Sequence, residues 1–391
     1  MGYAAEQFHD APLSETVEIV AVDTPALREQ FIRLPWSIYA GDANWVPPLL
    51  MNERKRIGAV GPGANPERQL FIARMNGRAV GRISAQLGHE AMPLGHFGWI
   101  EAIDSAAVFD ALFAAAEGWL LAHGARRSSG PFSFSINEES GLLVDGFDTP
   151  PMIMMPHGRP YYAGHLQRLG YGKEMDLFAY RIDARTPLPR AVEKIRRQVA
   201  EDPRITLRQM RRERFEDEIR TVLDLFNDAW AGNWGFEPFT EAHIAEMARE
   251  LKPLLPVPAF SVAEYDGRPA AFALGLPNIN EMIRDLDGRL FPLGWAKLLF
   301  RIKTGRYGSG RLPLMGVRKE FQGTPLGAAL AVAAIDQLRA ACLKHEVFEG
   351  ELSWVLETNK GVRTIIEAFG AKAYKTYRIY ARDLVAAGQT G

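Results

Sequence analysis

Cysteine is almost missing from this sequence. Cys342 is the single one among 391 residues, so a disulfide framework and a cysteine-rich zinc site are both excluded. A chain built this way suits a reducing compartment, or one indifferent to oxidation. A surplus of positive charge is missing too: 46 Lys and Arg face 47 Asp and Glu, whereas a dedicated nucleic-acid binder carries a basic excess. The eight histidines are scattered, with no ligand-spaced pair on a recognisable helix, so no metal site is expected. Long hydrophobic runs are absent as well. The longest, Pro325–Ile335, is far short of the ~20 residues that cross a bilayer. Met1 to Asp10 has neither a basic n-region nor an apolar h-region. The expectation is a cytoplasmic protein whose membrane contact, if it has one, is peripheral. What remains is 47% apolar and 24% charged, a globular composition, in a length that fits two domains of ~100–200 residues.

One pattern occurs twice. Phe71–Arg74 leads through Asn76-Gly77 into Ala79–Ala85, and Phe260–Glu264 leads through Asp266-Gly267 into Ala270–Leu274. Asn-Gly and Asp-Gly between β-rich runs are the strongest short hairpin signals. Each hairpin is followed by a strand, a long helix, a strand, a short helix and a last strand. In the first half these are Phe97–Ile103, Ala106–His123, Arg127–Ser135, Tyr161–Leu169 and Met175–Ile182. In the second they are Leu312–Val317, Leu326–Lys344, Gly350–Leu356, Gly361–Phe369 and Tyr374–Ala381. Two copies of an α/β unit with a mixed sheet are therefore expected, as domains 1–190 and 200–391. Pro187–Pro189 and the charged stretch Arg190–Pro203 divide them near 185–205.

The most informative segment runs from Leu314 to Leu330. A strand enters a loop containing Gly323 and Gly327, which opens into an Ala/Leu-rich helix. Amides at a helix start lack internal partners and carry the positive end of the dipole. Glycines let a pyrophosphate approach them, though an ordinary strand–helix turn has the same outline. The segment resembles the acyl-CoA loop of the GCN5-related N-acetyltransferase (GNAT) superfamily, Gln/Arg-x-x-Gly-x-Gly/Ala. Gln322 stands at the first position and Gly327 at the last. Pro325 stands at the middle glycine and removes one N–H donor, although proline is well tolerated in a first helical turn. The resemblance implies that Val317, Arg318, Gln322, Gly323, Thr324, Leu326, Gly327 and Ala328 hold the donor. It also matches Asn359 to the Asn that commonly follows the fifth strand. Ile366 occupies the position where the family often has a Tyr acid for the thiolate. The first half has the same outline without the loop: Asp104–Val108 contains no glycine, so it is expected to be a degenerate copy that binds no CoA.

Across roughly residues 20–385 the sequence is similar to the bacterial ceramide synthase-like family of tandem acyltransferase folds. The similarity is carried by Trp45–Leu49, Val80–Ile83, Gly141–Asp148 with Pro150-Pro151, Asn233–Phe236, Pro277-Asn278 and Trp354–Asn359. It implies transfer of a long-chain acyl group, from acyl-CoA or an acyl carrier protein, to the amine of a sphingoid base such as 3-ketosphinganine or sphinganine. Acyl-CoA enters as a co-substrate, with no permanently bound cofactor. A lipid acceptor requires contact with the inner-membrane surface on its cytoplasmic face. The inserted segment 281–311 fits that need. Phe291, Trp295, Leu298, Leu299 and Ile302 share a helical face, and Leu290–Leu312 carries Lys297, Arg301, Lys303, Arg306 and Arg311 with no acidic residue. The alternative is a surface helix packing its stripe on the sheet.

Within that resemblance the backbone N–H of Val317 is expected to hold the oxyanion, and a base is expected near the splay of the fourth and fifth strands. Glu357 and Glu351 are the candidates, with Glu357 favoured. Candidates for the acceptor pocket are Asn278, Asn280, Trp234, Phe236, Trp295 and Tyr377, while Asn137, Glu138 and Glu139 follow a first-half strand. Tyr374, Tyr377 and Tyr380 have packing against the sheet as their commonest role. Competing readings are acetylation of a small soluble amine and a non-catalytic acyl-CoA sensor. Aminoacyl transfer from tRNA is disfavoured by the balanced charge.

Overall fold

The computed structural model describes residues 16–88, 94–240, 260–305 and 307–384. The first copy runs β1 (Glu18–Ala21), α1 (Pro25–Ile38), α2 (Leu50–Ile57), β2 (Arg68–Met75), β3 (Arg78–Leu87), β4 (Leu94–Ala102) and α3 (Ala106–Ala122). It continues through β5 (Arg127–Gly130), β6 (Leu142–Asp145), α4 (Tyr162–Arg168) and β7 (Gly172–Asp183). The second copy comprises α5 (Arg190–Glu201), β8 (Ile205–Gln209), α6 (Phe215–Trp230), β9 (Phe260–Tyr265), β10 (Arg268–Pro277) and α7 (Ile279–Ile283). After these come α8 (Gly294–Thr304), β11 (Ser309–Val317), α9 (Pro325–Lys344), β12 (Glu349–Leu356), α10 (Lys360–Ala368) and β13 (Lys372–Asp383).

Both hairpins turn as their sequences dictate. Asn76 and Gly77 have φ of 51° and 76°, and Asp266 and Gly267 have 48° and 73°. Positive φ at both central residues is the type I′ geometry that matches strand twist.

The compact units do not follow the linear division expected from sequence. One unit comprises Met1–Asp176, Ile283–Pro292 and Tyr377–Gly391; the other comprises Leu177–Met282 and Leu293–Thr376. The last strand of each copy therefore completes the sheet of the other. In the first unit β1, β2, β3, β4 and β5 follow one another, and Tyr380–Asp383 of β13 pairs antiparallel with β5. In the second unit Leu177–Asp183 of β7 pairs antiparallel with β12, followed by β11, β10, β9 and β8. The charged stretch after Pro189 is no linker. It is α5, whose Val192 and Val199 are buried seven residues apart on one face, with Val192 packing on Ala334 and Leu338 of α9.

In the first unit α3 packs Val108, Phe109, Leu112 and Phe113 onto β2–β4. In the second, α9 lies across β9 and β10, burying Leu330, Ala331 and Ala334. By length and composition α9 is apolar enough to cross a membrane, yet half of it is buried inside this unit. Its alanines permit close approach to Ala263, Ala271 and Ala273 of the sheet.

Candidate active site

The second unit contains a fork. Strands β11 and β12 pair in parallel from Ser309↔Glu349 only as far as Leu312↔Leu352, after which Pro313–Val317 and Ser353–Leu356 part. On its other edge β11 stays paired with β10, through Phe272↔Gly316 and Ala271↔Val317. The Arg318 amide donates to Ala270 O at 2.8 Å, so alternation turns the amides of Met315 and Val317 away from β10, toward the opening fork. The expected oxyanion donor, Val317, thus has its N–H on the side where a thioester would enter.

In the chain between β11 and α9, residues 318–324, Gln322, Gly323 and Thr324 are exposed, as is Pro325 at the start of α9. Gly323 has φ of 72°, and a Cβ there would meet nothing within 4 Å. Thr324 is the N-cap of α9: its Oγ1 accepts from the Gly327 amide at 3.0 Å, with Pro325 in the first turn. The Gly327 amide is therefore spent on the cap, and Ala328 N donates to Thr324 O at 3.1 Å. The amides of Gly323 and Leu326 are the ones left at this helix start among the described residues.

Gly327 serves a different purpose from the one its motif position implies. A Cβ there would lie 2.1 Å from Phe321 O, so the glycine lets the loop backbone cross the helix rather than letting a phosphate approach. Gln322 donates its side-chain amide to Val317 O and Ala229 O, both at 2.9 Å, and so fixes the loop. Arg318 is likewise engaged, donating to Asp224 at 2.6 Å and to Pro269 O at 2.8 Å.

The vertex of the fork carries a buried polar network that sequence reasoning missed. Arg311 and Glu351 are register partners on β11 and β12, and both side chains are fully buried with 3.8 Å between Nε and Oε1. Arg311 donates to Ser353 Oγ at 2.8 Å and to Ser353 O at 3.1 Å, and its guanidinium sits 4.6 Å from the Trp354 ring centroid. Ser353 Oγ donates to Glu351 Oε1 at 2.5 Å, and Tyr374 OH donates to Glu351 Oε2. The expectation for Arg311 is corrected here: it does not belong to the basic face of the insertion but neutralises Glu351 inside the sheet. Glu351 in turn has both oxygens committed, which removes it as a free base. An Arg in the apolar run Gly-Arg-Leu-Pro-Leu was the available signal; its partner 40 residues away was not legible.

The other anticipated residues separate into those at the fork and those with packing roles. Glu357 follows the end of β12, half-buried, and its backbone oxygen accepts from Arg363 at 3.2 Å. Asn359 caps α10, accepting from Val362 N at 3.1 Å. Ile366 is buried among Tyr180, Leu352 and Val355, consistent with its inability to act as an acid. Trp230 Nε1 donates to Met315 O at 2.9 Å, so the turn carrying Trp234 and Phe236 starts beside the fork; Phe236 itself packs on Phe226 at 5.8 Å. Asn278 is buried just after β10 and donates to Ser309 Oγ at 2.9 Å, which ties the end of β10 to the start of β11. Asn280 is half-buried on α7. Tyr377 is fully buried in the other unit, a packing residue rather than part of this site. Trp295 is exposed on α8, and Arg306 lies outside the described residues.

Among the described residues the first unit shows no comparable open fork. There β4 and β5 pair only from Leu94↔Arg127 to His96↔Ser129, but the chain after β5 fills the opening. Phe132 N donates to Phe97 O at 2.9 Å, and a Cβ on Gly98 would fall 1.7 Å from Phe132 O. Only residues 103–105 connect β4 to α3, and Asp104 there pairs with His165 at 2.8 Å. A carboxylate at that position repels a phosphate. Glu138 and Glu139 are engaged with Arg56 of α2, at 3.2 and 3.3 Å. Among the described residues no cluster of acidic, His and Cys side chains has the makings of a metal site.

No family model matches the chain. It is 46% identical over 362 residues to Protein YghO of Escherichia coli (strain K12), covering 90% of this chain and 92% of that protein. It is 44% identical over 381 residues to the bacterial ceramide synthase of Caulobacter vibrioides (strain NA1000 / CB15N), covering 94% and 98%. Among solved structures, a tandem GNAT protein from the clavulanic acid biosynthesis pathway, without AcCoA, aligns with a TM-score of 0.57. That alignment covers 95% of this chain and 100% of that one at 14% identity. A GCN5-related N-acetyltransferase from Sphaerobacter thermophilus aligns at 0.52, over 95% and 96%, with 16% identity. At such identities the likeness shows the fold: two GNAT-like domains in one chain.

Proposed function

The chain belongs to the bacterial ceramide synthase family and is an acyltransferase, and from that premise we propose that it moves a long-chain acyl group from acyl-CoA to the amine of a sphingoid base, making a ceramide. The observation that carries the reading is the open fork beside an exposed helix start, present in the second unit and filled by the chain itself in the first. In this reading the diphosphate rests on the amides of Gly323 and Leu326 at the positive end of α9. The pantetheine arm follows the edge of β11 from which β12 has parted, where the Met315 and Val317 amides point while their carbonyls already accept from Trp230 and Gln322. The Val317 N–H donates to the oxyanion formed when the amine attacks the thioester carbonyl. Glu357 takes the proton that the ammonium must lose, since Glu351 is bound to Arg311, Ser353 and Tyr374. The C–N bond forms, the C–S bond breaks as CoA leaves as the thiolate, and the second proton of the attacking nitrogen passes to that thiolate through solvent, giving amide and CoA thiol.

A lipid acceptor calls for a membrane-facing surface, and α8 has the right character. It buries none of its residues: Trp295, Leu299 and Phe300 are 49%, 44% and 55% exposed, as is Leu293 at its N-cap (73%), beside the exposed Lys297 and Lys303. Exposed apolar side chains flanked by cations fit an anionic lipid surface. The test of function is mass spectrometry of products from the purified chain given mixed acyl-CoAs with 3-ketosphinganine or sphinganine. N-acylated base is expected; acetylation of small soluble amines with no lipid product would defeat the reading. For α8, flotation with anionic liposomes is expected to fail for Trp295→Glu combined with Leu299→Glu, and equal flotation of variant and wild type would remove the membrane role.

A further inference from the structure

A cavity of about 120 Å³ lies under the vertex of the fork, in the second unit. Its walls come from Leu276, Leu312, Ile335, Leu338, Val347 and Phe369, with Ala341 and Cys342 of α9 at its floor. The last paired rungs of β11 and β12, Arg311 with Glu351 and Leu312 with Leu352, belong to the same wall. The cavity therefore starts where the fork closes.

We propose that this cavity receives the end of the donor's acyl chain, so that its depth sets which chain lengths are transferred. This rests on the reading that the thioester lies in the fork. Three observations support the assignment. The first is adjacency to the fork: its last paired rung, Leu312 with Leu352, is also part of the cavity wall. The second is chemistry: most of the wall is apolar, and its charged side chains are paired, Arg311 with Glu351, Arg339 with Asp336 and Glu349 with Arg181, while Tyr307, Cys342 and His345 complete the polar lining. Burial pushes the Tyr307 phenol up to about 12 and raises the Cys342 thiol, and Arg311 is balanced by Glu351. The third is size. For scale, an enclosed apolar void of roughly 150 Å³ binds a benzene-sized hydrocarbon, and the present cavity differs in being half-open to solvent. The space here is of that order, enough for about the last four to six carbons of a chain. Each methylene buried is worth about fourfold in affinity, so a few carbons produce a strong length preference.

Cys342 makes the test direct, since it is the single cysteine of the chain. Intact-mass spectrometry of the full-length protein treated with methyl methanethiosulfonate at pH 9 reports on the cavity alone. Saturating palmitoyl-CoA is expected to slow the labelling of Cys342 by tenfold or more, whereas CoA and acetyl-CoA leave it unchanged. Independently, Ala341→Phe, which fills the floor, is expected to shift the preferred donor to a chain several carbons shorter, changing the long-to-short ratio of kcat/KM by at least tenfold. Binding of palmitoyl-CoA seen by calorimetry, with unaltered labelling and an unaltered length profile, overturns the inference while leaving the function intact. No binding of either palmitoyl-CoA or CoA overturns the function and the inference together.

Discussion

Arg311 offers the sharpest test of the vertex. Replacing it by Met keeps much of the volume but removes a guanidinium whose side chain is 0% exposed, leaving Glu351, also 0% exposed, with only the Ser353 and Tyr374 hydroxyls. Removing one partner of a buried pair strands the other charge and typically costs about 3–5 kcal/mol. At ~2–4 °C per kcal/mol for a domain of this size, the melting temperature of the second unit should fall by roughly 6–20 °C. Adding Glu351→Gln removes the stranded charge: the amide oxygen accepts from one of the two hydroxyls, and the amide NH2 donates to the other, whose oxygen then accepts. The double variant should therefore regain a good part of the loss, to within about 2 kcal/mol of wild type, because an ion pair replaced by neutral groups is often nearly neutral in stability. Scanning calorimetry is the suitable assay, since two compact units need not unfold in one step. If Arg311→Met melts within about 1 kcal/mol of wild type, or if the two substitutions add to within ~0.5 kcal/mol, the pair is not the buried ionic contact described here.

Three further outcomes follow from the site. Gly327→Ala should raise the KM for the acyl donor by roughly tenfold or more while the fold persists, because the new methyl must push Phe321 O away from 2.1 Å and with it the loop; an unchanged KM would mean that the loop does not hold the donor. Glu357→Gln should lower kcat by about 10²–10⁴ with donor binding retained, the usual contribution of a general base; a loss of less than threefold would assign the proton transfer elsewhere. At alkaline pH, burial holds the Tyr307 phenol up to about 12, against about 10 in the unfolded chain, so the folded state retains a proton that the unfolded state releases. That stability is complete below pH ~10 and is lost as pH rises through ~12, and Tyr307→Phe should make the decline between those values shallower in urea titrations.

The hairpins, the long helices and the loop were legible because each is a local pattern. Asn76-Gly77 and Asp266-Gly267 specify a turn whatever surrounds them, and Thr324-Pro325 starts a helix by capping alone. Legible too was the absence of a loop in the first copy, because Asp104–Val108 has no residue that lets a backbone approach a ligand. The charged stretch expected to divide the two copies is the helix α5, not legible as such because its high charge masked two valines seven residues apart. The roles of individual residues were less accessible. Gly327 and Asn359 stand at motif positions, yet their neighbours in space, Phe321 O and Val362 N, assign them to close packing and capping.

By itself, then, the sequence determined two α/β copies, where their elements lie and which copy keeps an open helix start, since these follow from periodicity, turn chemistry and caps over a few residues. Only the tertiary structure decided that each copy lends its last strand to the other's sheet, that the fork is filled in one unit and open in the other, and that Arg311 meets Glu351 at its vertex. Strand exchange and charge pairing join residues tens to hundreds of positions apart. Burial makes such contacts decisive in energy, and no pattern along the chain records which partner will be there.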